Sequence, residues 1–512
     1  MNTFSALLFG TLCTLSTHGI ADSKDYGEGL QNLSDSTLLK NADGSHDHWR
    51  GIGRLSNGHC TATLLDTRDA SATGPSPAYV LTAGHCIGLT NGNIVTDSPT
   101  GGVMQFNFFS DTASINYTVK KVAWRSMQGV DIAIVELNVS LQKLIEDGIH
   151  PLKLAAQKPA DGTDVLIVSA PFGFFNQNTF MQTLRMAACT LQPANEIVEG
   201  SWVWRDSVMT RCKDIAGGSS GGPILDRQTN EIVAVAGTGN FDKGLQPCHQ
   251  DAPCTPVDGV YTAIQGNVYG NPTSFLNGCF EQGRLVSQGV SSCPLYPVFT
   301  VVSADSDRPT RYQKIIRRED GTLETPTWAY RFFIDTQFYR HATVRTAKSC
   351  EDPRNYAGAV TAEGAFIDDK IGNEPGYYFL CIVGVDSPDQ RPSTGLMRNA
   401  LSLPAEILAG TSPTKPALYF WGLTANLASD EEPNRTYSYK FGSPDRTDCS
   451  EKEHYVATSR LSLQFADAAL PIKLCTIAHD RSGNESEPRM DLLLSAHHTT
   501  EVVDNRALTP IE

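Results

Sequence analysis

The sequence predicts an all-β chain built from more than one domain, and three observations carry that prediction. Short apolar or alternating runs at residues 79–81, 131–137, 165–169 and 232–236 are bounded by Gly, Pro, Asn and Asp, which is how strands are punctuated. Long amphipathic helical periodicity is scarce, and one short helical turn is expected at residues 273–276, after Asn271-Pro272. The third observation is a cysteine pattern that repeats late in the chain.

Length and composition set the outer bounds. At 512 residues the chain is too long for one ordinary domain. Its 40% hydrophobic and 19% charged residues are globular in character. Acidic residues outnumber basic ones, 56 to 41, for a net charge of −15. Long-range attraction to nucleic acid phosphates is therefore not expected, and an acidic surface draws cationic peptides instead. No run after the N-terminus approaches the length that spans a bilayer, so the chain is not expected to be an integral membrane protein.

Residues 1–21 read as a secretory signal, with an apolar stretch at 4–15 and small residues in Gly19-Ile20-Ala21. The absence of Lys and Arg ahead of that stretch departs from the usual pattern, and a buried N-terminal helix is the rival reading. Of 13 cysteines, Cys13 leaves with the signal. The other twelve fall into neighbouring pairs: Cys60–Cys86, Cys189–Cys212, Cys248–Cys254, Cys279–Cys293, Cys350–Cys381 and Cys449–Cys475. Sequential pairing closes short loops, and six disulfides suit an oxidising compartment. A secreted protein is expected, extracellular or, in a bacterium, periplasmic. Zinc is the rival for Cys248-His249 and Cys254, but no second ligand pair lies nearby.

After Cys293 two segments follow one plan: a Cys, an irregular stretch, then a strand-like run holding the second Cys. The first cysteines lie 99 residues apart and the second ones 94, close to the length of one small β-sandwich. Each segment resembles an immunoglobulin-like or fibronectin-like module. The division expected is a signal at 1–21, an N-terminal segment at 22–48 open to removal as a propeptide, a core domain at 49–290, and sandwich modules at 295–400 and 404–512. Pro-containing stretches at 294–297 and 403–416 serve as the connectors.

Three segments in the core domain carry chemistry. Gly217-Gly218-Ser219-Ser220-Gly221-Gly222-Pro223 lets the backbone turn tightly and aims neighbouring N–H groups at one spot. Ser220 is the candidate nucleophile, with the N–H groups of Gly218 and Ser220 as donors to a developing oxyanion; a plain Gly-Ser loop is the bland alternative. Leu81-Thr82-Ala83-Gly84-His85-Cys86 places His85 at a strand end, anchored by a cysteine. Val130-Asp131-Ile132-Ala133-Ile134-Val135 buries one acid in an apolar strand, where it needs a hydrogen-bonding partner.

Together these segments resemble the chymotrypsin/trypsin family of serine proteases, whose motifs are TAAHC, DIAL and GDSGGP in that order. The resemblance covers residues 45–280. It implies a double six-stranded β-barrel, ahead of the two small β-sandwich domains. It also implies a serine endopeptidase in which His85 is general base and acid, Asp131 orients and stabilises the imidazolium, and Ser220 attacks. Asp214, six residues before Ser220, falls where the family has its pocket floor, with Gly237 and Gly259 as walls; a carboxylate there pairs with substrate Arg or Lys. Gly259-Val260-Tyr261-Thr262 is similar to a strand near the end of the family's second barrel. The order His, Asp, Ser excludes the α/β-hydrolases, which run Ser, acid, His.

The chain departs from the family in three places. Ala216 stands where the second pocket cysteine belongs, so Cys248–Cys254 is a candidate replacement at the rim. No Ile-Val-Gly-Gly start precedes Trp49, and Ser219 replaces the acid that receives the new N-terminus. Other hydrogen bonds must then hold the oxyanion loop. No cofactor or metal is implied, and His46-Asp47-His48 reads as a polar turn. Expected partners are protein or peptide substrates, with a surface or matrix ligand for the modules. A catalytically silent protease-like binding or adhesion protein and a serine esterase are the alternatives.

Overall fold

The computed structural model describes residues 35–176, 179–241, 247–286, 292–304, 312–317, 322–408, 413–427, 436–458, 461–480, 484–495 and 498–501. The signal at 1–21 lies outside these residues, as does most of the segment after it. Among the described residues no helix is long and apolar enough to cross a membrane.

Two closed antiparallel barrels form the first half of the molecule. In the first, β1 (Ile52–Leu55), β2 (Cys60–Leu64), β3 (Pro77–Thr82), β4 (Val103–Phe106), β5 (Ile115–Ser126) and β6 (Ile132–Ser140) bond in the ring order β1-β2-β3-β6-β5-β4. In the second, β7 (Asp164–Ser169), β8 (Arg185–Glu199), β9 (Trp202–Thr210), β10 (Pro223–Asp226), β11 (Ile232–Gly239) and β12 (Val268–Pro272) bond as β7-β8-β9-β12-β11-β10. The same topology is laid down twice. Closure leaves each ring without a free edge.

The expected strands read as unbroken apolar runs because both of their faces are buried. On β6, Ile132 and Ile134 enter a core shared by the two barrels, while Val135 and Leu137 fill the first barrel. On β7, Leu166 and Val168 join the shared core and Val165 and Ile167 fill the second barrel. Period-two alternation thus feeds two cores at once. The helical turn expected after Pro272 is a 3₁₀ segment, Ser274–Cys279.

The boundary expected at residue 48 is not where the fold begins. Thr37–Leu38 adds a short strand to β8, and Leu39 and Trp49 are buried in the shared core. Residues 35–48 are tied to the barrels by this pairing, by the burial of Leu39, and by the hydrogen bond of the Ser36 N–H to Asp214.

The cysteines are joined as Cys60–Cys86, Cys189–Cys212, Cys248–Cys254, Cys279–Cys293, Cys350–Cys381 and Cys449–Cys475. Beyond Cys293 the chain forms two β units, each packing a three-stranded sheet against a five-stranded one. Both keep an internal hydrogen bond that repeats: Tyr356 Oη donates to the Cys350 carbonyl at 2.7 Å, and Tyr455 Oη to the Cys449 carbonyl at 2.9 Å. The first unit ends later than residue 400, because the strand Leu401–Leu408 pairs with Gly376–Val385 along its length. The expected connector beginning at 403 is therefore partly strand.

The first unit is not a bead on a linker. Val198 and Val203 of the second barrel lie in one hydrophobic core with Phe379, Leu380 and Leu401 of the unit. Gln128 Nε2 donates to the Asn399 carbonyl, Arg205 Nη1 to Ser402 Oγ at 3.1 Å, and Lys348 Nζ pairs with Asp206 at 2.5 Å. Leu295, in the expected connector, is itself buried.

Candidate active site

His85 sits in the 3₁₀ turn Gly84–Cys86 that ends β3, tied back to β2 by Cys60–Cys86. Gly84 is required there, since a Cβ would stand 2.1 Å from the Ser126 carbonyl. Asp131, at 0% exposure, immediately precedes β6. One of its oxygens accepts the His85 backbone N–H at 2.8 Å and the other lies 2.7 Å from His85 Nδ1. With the proton on Nδ1 facing the carboxylate, Nε2 is left as the basic nitrogen. Burial opposes charge on the imidazole. The Asp131 carboxylate, its hydrogen bond, and the charges of Glu199 and Asp251 outweigh that, so the pKa of His85 is raised.

Ser220 lies between Gly218, at φ +86°, and Gly221, at φ +82°. A side chain on Gly221 would place a Cβ 2.1 Å from Thr82 Oγ1, so only glycine lets the loop lie against β3. The Ser220 carbonyl accepts from Thr61 N–H at 2.9 Å, and its hydroxyl donates to the Gly237 carbonyl at 3.1 Å. His85, Ser220 and Gly237 line one cavity of about 300 Å³. The hydroxyl therefore faces the cavity that holds the imidazole, but its hydrogen bond goes to Gly237.

The loop ahead of Ser220 is fixed by neutral groups. Phe172 N–H donates to the Gly217 carbonyl at 2.6 Å, and Thr61 Oγ1 to the Gly218 carbonyl at 2.8 Å. A trans peptide points its N–H opposite its C=O, so the Gly218 N–H is turned away from Phe172. Among the described residues, neither the Gly218 nor the Ser220 N–H donates to a protein acceptor. Ser219, fully enclosed, takes a hydrogen bond from Ser169 Oγ at 3.0 Å and one from Ala216 N–H at 3.3 Å. Arg54, a buried cation, clamps the segment that carries Phe172 by donating to the Ala170 carbonyl at 2.7 Å.

Two expected pocket residues lie elsewhere. Asp214 does not line the cavity; its carboxylate accepts the Ser36 N–H at 2.6 Å, tying down the N-terminal segment. Gly259 is the turn of a separate hairpin, Thr255–Val257 with Val260–Thr262, whose Tyr261 packs on Tyr377 of the first C-terminal unit at 4.4 Å between ring centroids. The closing barrel strand is instead Val268–Pro272. Gly237 does line the cavity, and the Cys248–Cys254 loop contributes Gln250 and Asp251 to its wall.

Sequence reasoning missed Glu199, Trp202 and Trp204 as members of this cavity. Glu199 is the second acid on its strand, after Glu196, and stands at a Gly200-Ser201 turn, so nothing local marks it as a site residue. As for metals, among the described residues the one cluster close enough to share an ion is Cys60, His85 and Cys86, and its cysteines are bonded to each other. His46 Nδ1 contacts the Lys40 carbonyl at 2.8 Å within a turn.

Residues 60–235, about a third of the chain, match the family model described as a trypsin-like peptidase domain. No curated protein sequence matches. Among solved structures, mouse neuropsin, a serine protease, is 15% identical with a TM-score of 0.30, covering 47% of this chain and 95% of its own. The protease Anisep of Arthrobacter nicotinovorans is 16% identical with a TM-score of 0.28, covering 44% and 90%. Rv3671c of M. tuberculosis, in an inactive form, is 14% identical with a TM-score of 0.27, covering 47% and 91%.

Proposed function

We propose that the chain is a secreted serine endopeptidase that cuts peptide bonds through an acyl-enzyme on Ser220. The observation that carries the reading is His85 held on Asp131 by two hydrogen bonds, in the same cavity as Ser220. The trypsin-like peptidase match over these residues supports peptidase activity in general.

The roles follow from the His85–Asp131 hydrogen bonds and from the cavity that His85 shares with Ser220. The Ser220 hydroxyl leaves the Gly237 carbonyl and gives its proton to His85 Nε2 as Oγ adds to the substrate carbonyl. The imidazolium is stabilised by Asp131, and the oxyanion is received by the Gly218 and Ser220 N–H groups. Collapse of the adduct expels the amine, which takes the proton from Nε2. Water then repeats the cycle on the acyl-enzyme and releases the acid. Because Ser219 is neutral and already bonded, the loop needs no new N-terminus to take this shape.

A preference for Arg or Lys through Asp214 is not part of this reading, given where that carboxylate lies. The first C-terminal unit shares the barrel's core and belongs to the catalytic body. The second unit exposes Tyr419 and Trp421 along one strand, and it is the part suited to a surface or matrix ligand. Replacing Ser220 with Ala tests the central claim. Peptide turnover is expected to fall by a factor on the order of 10⁴ to 10⁶, with the thermal transition unchanged. Undiminished turnover would remove Ser220 as the nucleophile.

A further inference from the structure

The cavity that holds His85 and Ser220 extends to two carboxylates that the reaction just described does not use. Glu199 is the last residue of β8 and faces Trp202 as the final pair of the β8–β9 hairpin. It is 4% exposed. One oxygen accepts the Asp251 N–H at 2.8 Å; the other is buried without a well-formed hydrogen bond among the described residues, and the Thr238 hydroxyl is the one other donor acting on the carboxyl. Asp251 rides on the Cys248–Cys254 loop, which is fastened to the same hairpin by Gly200 N–H to the Cys248 carbonyl at 2.8 Å. Trp202 and Trp204 line the cavity beside them, stacked at 6.4 Å with an interplanar angle of 8°. Phe241 completes the aromatic wall.

A buried carboxylate served only by one backbone N–H and a weakly placed hydroxyl is costly, and a ligand's own donor can meet that cost. The donor that best suits two acids flanked by indole faces is a cation. A guanidinium can fork onto a carboxylate while its plane lies on an aromatic ring, and an ammonium gains the charge term but not the fork. Among the described residues no Lys or Arg lines the cavity to neutralise Glu199 from within the chain.

Resting on the endopeptidase reading, we infer that Glu199, with Asp251 and the Trp202–Trp204 wall, is a subsite for a basic side chain, arginine above all, near the scissile bond. The charge around it agrees. Asp251 and Asp131 both disfavour charge on Glu199, and Glu199 and Asp251 in turn favour charge on His85. Burial, with those neighbouring acids, pushes the Glu199 carboxyl up to about 7. An arriving cation would restore its negative form, so binding is expected to be coupled to release of a proton.

The experiment uses the full chain and sets of peptides identical but for one position on either side of the cleaved bond. That position holds Arg, citrulline or norleucine. At one position kcat/KM is expected to favour Arg over citrulline on the order of 10- to 100-fold, and Glu199→Gln is expected to reduce that ratio to within about threefold. The variant also moves the acid limb of the kcat/KM profile to lower pH, because a negative charge acting on His85 is gone; a merely structural role for Glu199 would leave the limb in place. A fluorophosphonate that labels Ser220 provides a second measurement that needs no turnover. Agmatine, a free guanidinium, is expected to slow labelling of the wild type and not of Glu199→Gln. Equal rates for Arg and citrulline at every position, a preference kept by the variant, or labelling indifferent to agmatine would each overturn the subsite. Failure of the probe to label Ser220 at all would instead overturn the endopeptidase reading beneath it.

Discussion

Replacing Glu199 with Gln separates the cost of a buried charge from the cost of a lost side chain. Gln has nearly the same shape and keeps a carbonyl oxygen for the Asp251 N–H, so packing and that hydrogen bond survive. Ionisation is removed, and the second oxygen becomes an NH2 group. In the folded chain burial raises the carboxyl from 4.5 to about 7. A raised acid binds its proton more tightly folded than unfolded. Its contribution to stability is therefore whole below pH 4.5 and drains away as pH climbs towards 7. At about 1.4 kcal/mol per pH unit, the interval amounts to about 3 kcal/mol. Above pH 7 the wild type carries that full penalty, and the variant carries none. Urea titrations with the disulfides intact, followed by tryptophan fluorescence at pH 5, 6, 7 and 8, measure the difference. The variant is expected to be the more stable protein at pH 8 by up to about 3 kcal/mol, with the gap closing by pH 5. A gap independent of pH, or a variant less stable at pH 8, would show that Glu199 is not held against its ionised form.

Other parts of the site respond to different perturbations. The acid limb of kcat/KM is expected above the 6.5 of an ordinary imidazole, because His85 must be neutral to accept a proton and its pKa is raised; a limb below 6.5 would contradict the carboxylate environment described. Asp214→Ala removes the acceptor for Ser36 N–H and is expected to cost about 1–2 kcal/mol. It should leave the preference among Arg, Phe and Glu peptides unchanged, and a lost Arg preference would return Asp214 to the specificity pocket. A chain ending at residue 408 is expected to keep peptidase activity, whereas one ending at 294 loses it or precipitates. The second cut bares Val198 and Val203 and takes away the partners of Gln128 and Arg205. Full activity in the shorter chain would make the first C-terminal unit dispensable.

Strands and disulfide spacing were legible because they are written locally: β6 and β7 are runs whose bounds are turn residues, and cysteine pairs close short loops. His85, Asp131 and Ser220 stood out for the same reason, each among neighbours that allow one backbone path. Gly221 is a case in point, since its φ and the Thr82 contact leave room for nothing larger. What failed was inference by offset. Counting six residues back from Ser220 selects Asp214, yet that carboxylate is claimed by Ser36, a contact 178 residues away that no spacing encodes. Gly259-Val260-Tyr261-Thr262 carried the expected letters, but Val268–Pro272 is the barrel strand, because only it bonds to β9 and β11 together. Glu199 was invisible as a site residue because its importance depends on which hairpin end the Cys248–Cys254 loop covers. Tyr356 and Tyr455 were readable, each six residues after a first cysteine, and would have strengthened the internal repeat.

On the endopeptidase reading, the neutral loop ahead of Ser220 and the fused C-terminal unit would answer one physical requirement. Two N–H groups must stay aimed at a spot where charge appears only briefly, and nothing in the resting site rewards them for it. A charged latch could hold such a loop, but here the holding groups are two hydroxyls and a backbone N–H: Thr61 on Gly218, Ser169 on Ser219, Phe172 N–H on Gly217. Each is individually modest, on the order of 1 kcal/mol, so their anchors must themselves be immobile. Arg54 supplies that on one side by tying Ala170 to His59 through its two arms, at 2.7 and 2.8 Å. On the other side, the segment leading to Asp131 is held through Gln128 and through Gly129, whose carbonyl accepts Arg205 N–H at 2.9 Å. Arg205 in turn reaches Ser402 in the unit after the barrels. Rigidity that a charged latch would concentrate in one contact is on this reading spread through the body of the molecule, from Arg54 on one side to Arg205 and Ser402 on the other.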